Sequence, residues 1–177
     1  MNRNGSNKII EYAAGLLLFL RSMEKVLLIC DEKGVWRFPS GRLEDSESFL
    51  DAAVRELCEE TNIHITEYIV VITPIPVVSR KVFIEGNEEA IIKSKVRMIY
   101  PAILKSAELP SVAPIIGITS DAAWLTVEEA VSVTANRKRA AAISLSVSAI
   151  QGLISEKKLD GGEIRLGSAL YCGETPL

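Results

Sequence analysis

The chain has 177 residues, of which 48% are hydrophobic and 24% charged, and its net charge is −3. This is ordinary for a folded soluble protein, and the length suits one domain with a full core. The slightly acidic balance excludes capture of nucleic acid or anionic membrane by bulk charge. An anionic substrate therefore needs a local device, such as a metal ion or a few placed cations.

In chain order, residues 1–8 are polar and read as frayed. The apolar runs 11–20 and 25–30, separated by "RSMEK", predict a hairpin of buried strands. The first run contains "YAAGLLLFL" (12–20), far short of the ~20 apolar residues that span a bilayer, and no small-residue cleavage site follows it. "DEKGVW" is a turn, and "WRFP" (36–39) a short strand stopped by Pro39. A loop with Gly41 precedes a predicted helix over 49–61. The segment 69–78, interrupted by Pro74 and Pro76, and the segment 81–84 predict further strands.

"EGNEE" (85–89) reads as an exposed acidic loop, and 93–104 as an alternating strand. A loop over 109–117 leads to a strand near 118–125, and helices from about 126 and over 138–158 follow. Residues 160–177, with Gly161, Gly162 and Gly173, read as a loose tail. With no repeat, low-complexity tract or linker, the prediction is one domain over 1–177. Strands, one central helix, more strands and terminal helices predict an α+β layer sandwich on a mixed sheet.

Cysteines 30, 58 and 172 are odd in number and far apart, with neither zinc spacing nor a disulfide framework, which fits a reducing cytosol. The single histidine, His64, reads as an ordinary surface or turn residue. Trp36, Phe38 and Trp124 read first as buried aromatics and second as platforms for a base.

The predicted helix contains "RELCEETN" (55–62), in which Glu56, Glu59 and Glu60 fall on one face at 100° per residue. They adjoin an apolar stripe of Leu50, Ala53, Val54 and Leu57. Like charges at this spacing repel. Three glutamates alone describe either a solvated face or a divalent cation site in which several carboxylate oxygens bind a hard ion such as Mg²⁺. Position does not decide between the two.

The flanks carry more. In "GRLEDSESFLDAAVRELCEETNI", Gly41 is followed after five residues by Glu47 and after seven more by Arg55-Glu56-Leu57, then Glu59-Glu60 and Asn62-Ile63. This resembles the Nudix hydrolase motif G-x5-E-x7-R-E-U-x-E-E-x-G-U, with U aliphatic, at every specified position but the second glycine, here Asn62. Six fixed residues at ordinary usage match by chance on the order of 10⁻⁸ per start point. "WRFP" and "AWLTVEEA" (123–130) also resemble the family's usual surroundings.

Gly41 lets the backbone turn and approach a ligand. Ser48 with Asp51 can cap the helix. Arg55 can hold Glu47 or a neighbouring glutamate. Asn62 stands just past the helix, where a left-handed residue is common and asparagine is the usual substitute for glycine.

The resemblance implies an α/β/α sandwich with a central mixed sheet, and metal-dependent hydrolysis of a pyrophosphate bond in a nucleoside diphosphate linked to another group. It implies Glu56, Glu59, Glu60 and the Ser40 carbonyl as ligands of Mg²⁺, with Mn²⁺ as substitute. Glu56 would double as the base, and Glu47 would pair with Arg55 to organise the loop. Arg42 is a candidate phosphate contact.

Downstream, where subfamilies carry a proline or a tyrosine, this chain has Ser79 and Arg80, so nucleoside triphosphates stand as the substrate by elimination. One of Glu85, Glu88 and Glu89 is expected to join the site when substrate binds. A Nudix-fold nucleotide-binding or regulatory module without hydrolysis is the alternative; such modules usually lose box glutamates, and all four remain here. The expected partners are a small nucleotide and, should the last helix expose apolar residues, a second copy of the chain. Neither nucleic acid nor membrane is expected, and the expected location is the cytoplasm.

Overall fold

Val, Leu and Ile crowd the first two apolar runs with no polar alternation, the pattern of strands covered on both faces. The structure, a computed structural model, describes residues 8–63, 68–70, 74–83, 91–104, 109–155, 159–160 and 163–164. The expected acidic loop with Glu85, Glu88 and Glu89 lies outside them, as do His64, Cys172 and most of the expected loose ends.

The elements are β1 (Lys8–Phe19), β2 (Lys25–Cys30), β3 (Trp36–Arg37), β4 (Ser40–Arg42), α1 (Phe49–Thr61), β5 (Tyr68–Val70), β6 (Ile75–Phe83), β7 (Ile91–Leu104), β8 (Asp121–Thr126), α2 (Val127–Val133), α3 (Arg137–Ser155), β9 (Leu159–Asp160) and β10 (Glu163–Ile164). Strands β1 to β8 form one sheet; β9 and β10 pair separately. Strand β1 runs parallel to β7 over twelve register positions, from Lys8↔Ile92 to Phe19↔Ile103. Its pairing with β2 is antiparallel, so the sheet is mixed.

Two cores sandwich this sheet. Leu16 and Leu18 of β1, Leu27 of β2 and Trp124 of β8 pack against Ala52, Ala53 and Leu57 of α1. Leu17 and Phe19, pointing the other way, pack with Leu28, Phe38, Ile99 and Ile103 against Ala130 of α2 and Ala142, Ile143 and Ile150 of α3. Each of these large apolar side chains contributes roughly 1.5–3 kcal/mol by leaving water. The expected α/β/α arrangement is therefore present. Phe38 and Trp124 are core residues, and the Trp124 indole donates to the Pro110 carbonyl at 3.0 Å. Among the described residues no helix is long and apolar enough to cross a membrane.

Three expectations about strands need correction. The first two runs meet only near their turn, at Phe19↔Val26, because the rest of β1 is occupied by β7 on one side and β4 on the other. Gly15 permits that insertion: a Cβ there would lie 2.6 Å from Ser40 Cβ and 2.9 Å from the Pro39 carbonyl oxygen. The short strand does stop before Pro39, but the expected loop around Gly41 begins as a new strand, Ser40–Arg42, opposite Ala13–Gly15. Segment 69–78 is divided as expected before Pro74, with Ile69 and Val70 in β5, but Pro76 does not interrupt it, since β6 runs from Ile75 through Pro76 to Phe83, paired with β7. An edge strand tolerates proline where its missing N–H faces away from the ladder.

Helix α1 begins and ends as the sequence indicates. Ser48 accepts from the Asp51 amide at 3.1 Å, and Asn62 closes the helix in the left-handed region at φ 55° and ψ 21°, its N–H on the Cys58 carbonyl. Replacing Asn62 with Gly removes the Cβ penalty at this conformation. Thermal or urea unfolding is expected to show stability unchanged or raised by up to ~1 kcal/mol.

Candidate active site

Helix α1 lies across the sheet beside β4, and its polar margin carries Arg55, Glu56, Glu59 and Glu60 to the point where β1 and β4 meet. Gly41 makes the close approach possible. An added Cβ would sit 1.7 Å from Glu56 Oε1, so the carboxylate occupies the space a side chain would fill.

Arg55 organises the cluster. Its Nε and Nη2 grip Glu47 at 2.8 and 2.9 Å, Nη2 also donates to the Arg42 carbonyl at 2.9 Å, and Nη1 reaches Glu56 Oε1 at 3.1 Å and Glu59 Oε2 at 3.0 Å. Glu47 in turn accepts from the Glu44 amide at 3.0 Å, fixing the loop before the helix. The bond with Arg55, strengthened by the Glu44 amide, holds the Glu47 carboxyl below its usual range despite partial burial. The same bond, with Glu56, raises the Arg55 pKa.

Glu60 stands apart from its neighbours. It is only 5% exposed and fully paired: Arg37 Nη1 and Nη2 donate to its two oxygens at 2.9 and 2.5 Å, and the Ser40 amide donates at 2.9 Å. Arg37 Nη1 also reaches the Ser40 carbonyl at 3.3 Å. The Glu60 carboxylate and the Ser40 carbonyl thus converge on one cationic group. Glu56 is the strained member. Burial, then repulsion from Glu60, raises its proton affinity against the pull of Arg55.

Of the residues named from the sequence, Glu47, Glu56 and Glu59 are gathered on Arg55, while Glu60 and the Ser40 carbonyl are gathered on Arg37. Arg42 is at the edge, its guanidinium 72% exposed and 3.5 Å from Glu11. Sequence reasoning missed Arg37, although it sits inside the quoted "WRFP". It also missed a second set of cations on the opposite face of the sheet. Lys95 and Arg97 of β7 share the side of Ile99, toward α3, and Arg139 lies in the first turn of α3. Alternate cations at Lys93, Lys95 and Arg97 in "KSKVRMIY" were the available signal.

Glu47 and Glu56 have opposite effects on stability in acid. A carboxyl with a depressed folded pKa stabilises above its unfolded value and loses that contribution as pH falls through the folded one. A carboxyl with a raised folded pKa costs stability above that value, and the cost vanishes in acid. Metal-free Glu47→Gln is therefore expected to be less stable than wild type at pH 7, and Glu56→Gln more stable. Both differences should close as pH falls below the ordinary carboxylate range. Urea titrations at a series of pH values read both signs.

A family model described as NUDIX domain matches residues 11–146. The fold is similar to that of a C. elegans Ap4A hydrolase binary complex, at 18% identity and TM-score 0.57, covering 80% of this chain and 98% of that one. It is similar to the NUDIX domain of Shewanella oneidensis NrtR complexed with ADP ribose, at 15% identity and TM-score 0.58, covering 85% and 93%. The M. smegmatis Nudix hydrolase RenU is similar at 20% identity and TM-score 0.58, covering 90% and 96%. With a box from Gly41 to Ile63, a sheet between two helical layers and a family match over most of its length, the chain belongs to the Nudix hydrolase family.

Proposed function

We propose that this Nudix hydrolase cleaves the pyrophosphate bond of a nucleoside diphosphate linked to another group, with nucleoside triphosphates as the substrates to test first, and that it uses Mg²⁺, replaceable by Mn²⁺. The observation that carries the reading is the glutamate face of α1, with Glu56 set against the side-chain-free face of Gly41, Glu56 and Glu59 held on Arg55, and Glu60 buried beside Ser40.

The residues fit a hard divalent ion in chemistry. They offer oxygen donors only, and the excess negative field that raises the Glu56 pKa is what a cation relieves. Glu60 and the Ser40 carbonyl already share one cation, the Arg37 guanidinium. Among the described residues no three acidic, histidine or cysteine side chains enclose an ion-sized point, because Glu59 and Glu60 are each held on an arginine. Glu56, Glu59, Glu60 and the Ser40 carbonyl would hold the ion, Glu60 and Ser40 by exchanging their contacts with Arg37.

When bound, the ion supplies charge neutralisation at the phosphate oxygens and acidifies water. The chain supplies orientation and proton transfer. Glu47 locks Arg55, and Arg55 fixes Glu56 through Oε1, which leaves Glu56 Oε2 as the atom to take a proton from attacking water. Raised proton affinity suits that role. Arg42, exposed and 3.5 Å from Glu11, is the candidate phosphate contact.

The test is a hydrolysis screen of nucleoside triphosphates, nucleotide sugars, ADP-ribose, dinucleoside polyphosphates and coenzyme A with Mg²⁺ and Mn²⁺. Turnover of at least one compound is expected, and binding without turnover of any would favour the regulatory-module reading. With the best substrate, Glu59→Gln is expected to keep the fold and lose most turnover, because an amide oxygen carries no charge; wild-type turnover would overturn the ligand assignment. We further propose that one of Glu85, Glu88 and Glu89 joins the site when substrate binds. Alanine at one of the three should then lower kcat at least tenfold with metal-free stability unchanged, and full turnover in all three variants would refute it.

A further inference from the structure

Two arginines on the α3 side of the sheet have no role in the site as described. Arg97 lies in β7 between Ala13 of β1 and Val77 of β6. Arg139 lies in the first turn of α3, and that turn is fastened over β6 by a bond from Lys138 Nζ to the Val78 carbonyl, beside the strand position opposite Arg97. The Nε of each arginine is buried without a hydrogen-bond partner, and among the described residues neither guanidinium joins an ion pair.

Such an arrangement is costly. Each guanidinium is partly withdrawn from water with no ion partner to offset the lost hydration. Burial and the neighbouring charges of Arg139 and Arg37 bring the Arg97 pKa down to about 10, and burial and Arg37 lower that of Arg139. Lys95, on the same face, is also depressed by burial and by Arg97. The first turn of α3 compounds the cost, since Arg137, Lys138 and Arg139 stand at the helix end whose dipole favours anions. Asn136 accepts from the Lys138 and Arg139 amides at 3.0 and 3.2 Å, so the turn is capped and the cations are not there to cap it.

An anion between the two guanidinium groups would remove all these costs together, and the position suits one that belongs to the substrate. Ala13 pairs with Arg97 on one side and with Arg42 of β4 on the other, and β4 is the strand whose Gly41 and Ser40 meet Glu56 and Glu60, so the cationic face reaches the sheet edge where the carboxylates lie. We propose that Arg97 and Arg139 form a phosphate-binding subsite that holds the terminal phosphate of a polyphosphorylated nucleotide while the bond to be cut lies at the glutamates. The proposal rests on the hydrolase reading and narrows it, favouring substrates that end in a phosphate monoester over those capped by an uncharged sugar. Guanidinium groups match phosphate oxygens by paired N–H donors, which an ammonium does not.

The experiment uses inorganic tripolyphosphate as the probe and starts without metal, in a chelator. The wild-type melting temperature is expected to rise saturably with tripolyphosphate, and the rise to be lost in Arg97→Met and Arg139→Gln. Without any ligand, Arg97→Met is expected to melt higher than wild type, because a thioether replaces a part-buried charge that has no ion partner. In hydrolysis with metal, tripolyphosphate should compete with a nucleoside triphosphate, and either variant should raise KM about tenfold or more with a smaller change in kcat. An unchanged rise in both variants overturns the subsite. A ligand-free Arg97→Met protein that melts lower, or fails to fold, overturns it as well, since Arg97 is then structural. Stabilisation without competition identifies a site for free phosphate and refutes the link to substrate. Absence of any hydrolysis refutes the hydrolase reading, while the metal-free melting shifts still decide the anion site.

Discussion

The bidentate pair between Arg55 and Glu47 is the constraint from which the rest of the carboxylate site follows. With Nε and Nη2 committed to Glu47 and to the Arg42 carbonyl, the remaining nitrogen, Nη1, has one direction left, toward Glu56 and Glu59. One guanidinium thereby ties the loop before α1, strand β4 and two glutamates of the helix into a rigid unit. Lysine, a point charge on a flexible stem, has no geometry that meets all four. The repulsion on the glutamate face is tolerated because this cation sits inside it, and because Arg37 draws Glu60 to the other side.

The sheet separates two fields of opposite sign. On the α1 side lie Glu47, Glu56, Glu59 and Glu60; on the α3 side lie Lys95, Arg97 and Arg139. Strand β4 joins the two at the edge, since it takes the place beside β1 that a longer β2 would otherwise hold. A phosphate chain carries negative charge along its length and needs cations at one end and ion-binding oxygens at the other. On the proposed reading, the carboxylates and cations on either side of that edge are the local device by which a chain of net charge −3 takes an anionic substrate.

Small residues open the space on which this depends. Gly15 allows β4 to close on β1, and Gly41 allows Glu56 to lie against the strand; a methyl group at either would force backbone or carboxylate to move. Asn62 is the contrasting case. It takes the left-handed conformation at some local cost, and the bond that closes the helix comes from its backbone N–H, which glycine also has.

Much was legible without coordinates. The span Phe49–Thr61, its cap at Ser48, its left-handed stop at Asn62 and the common face of Glu56, Glu59 and Glu60 all follow from contacts within a few turns of one helix. Local hydrogen bonding and the 3.6-residue period determine them, so the order of residues suffices. Burial of "GLLLF" was legible for the same reason, since an unbroken apolar run has one favourable environment. What the sequence could not decide was partnership across long separations. The parallel union of β1 with β7, the insertion of β4, the capture of Glu60 by Arg37 from 23 positions away and the fastening of Arg139's turn to the strand beside Arg97 depend on which strands lie side by side. That choice is made by the packing of two whole faces at once, and a salt bridge or an unpaired guanidinium exists only after it has been made.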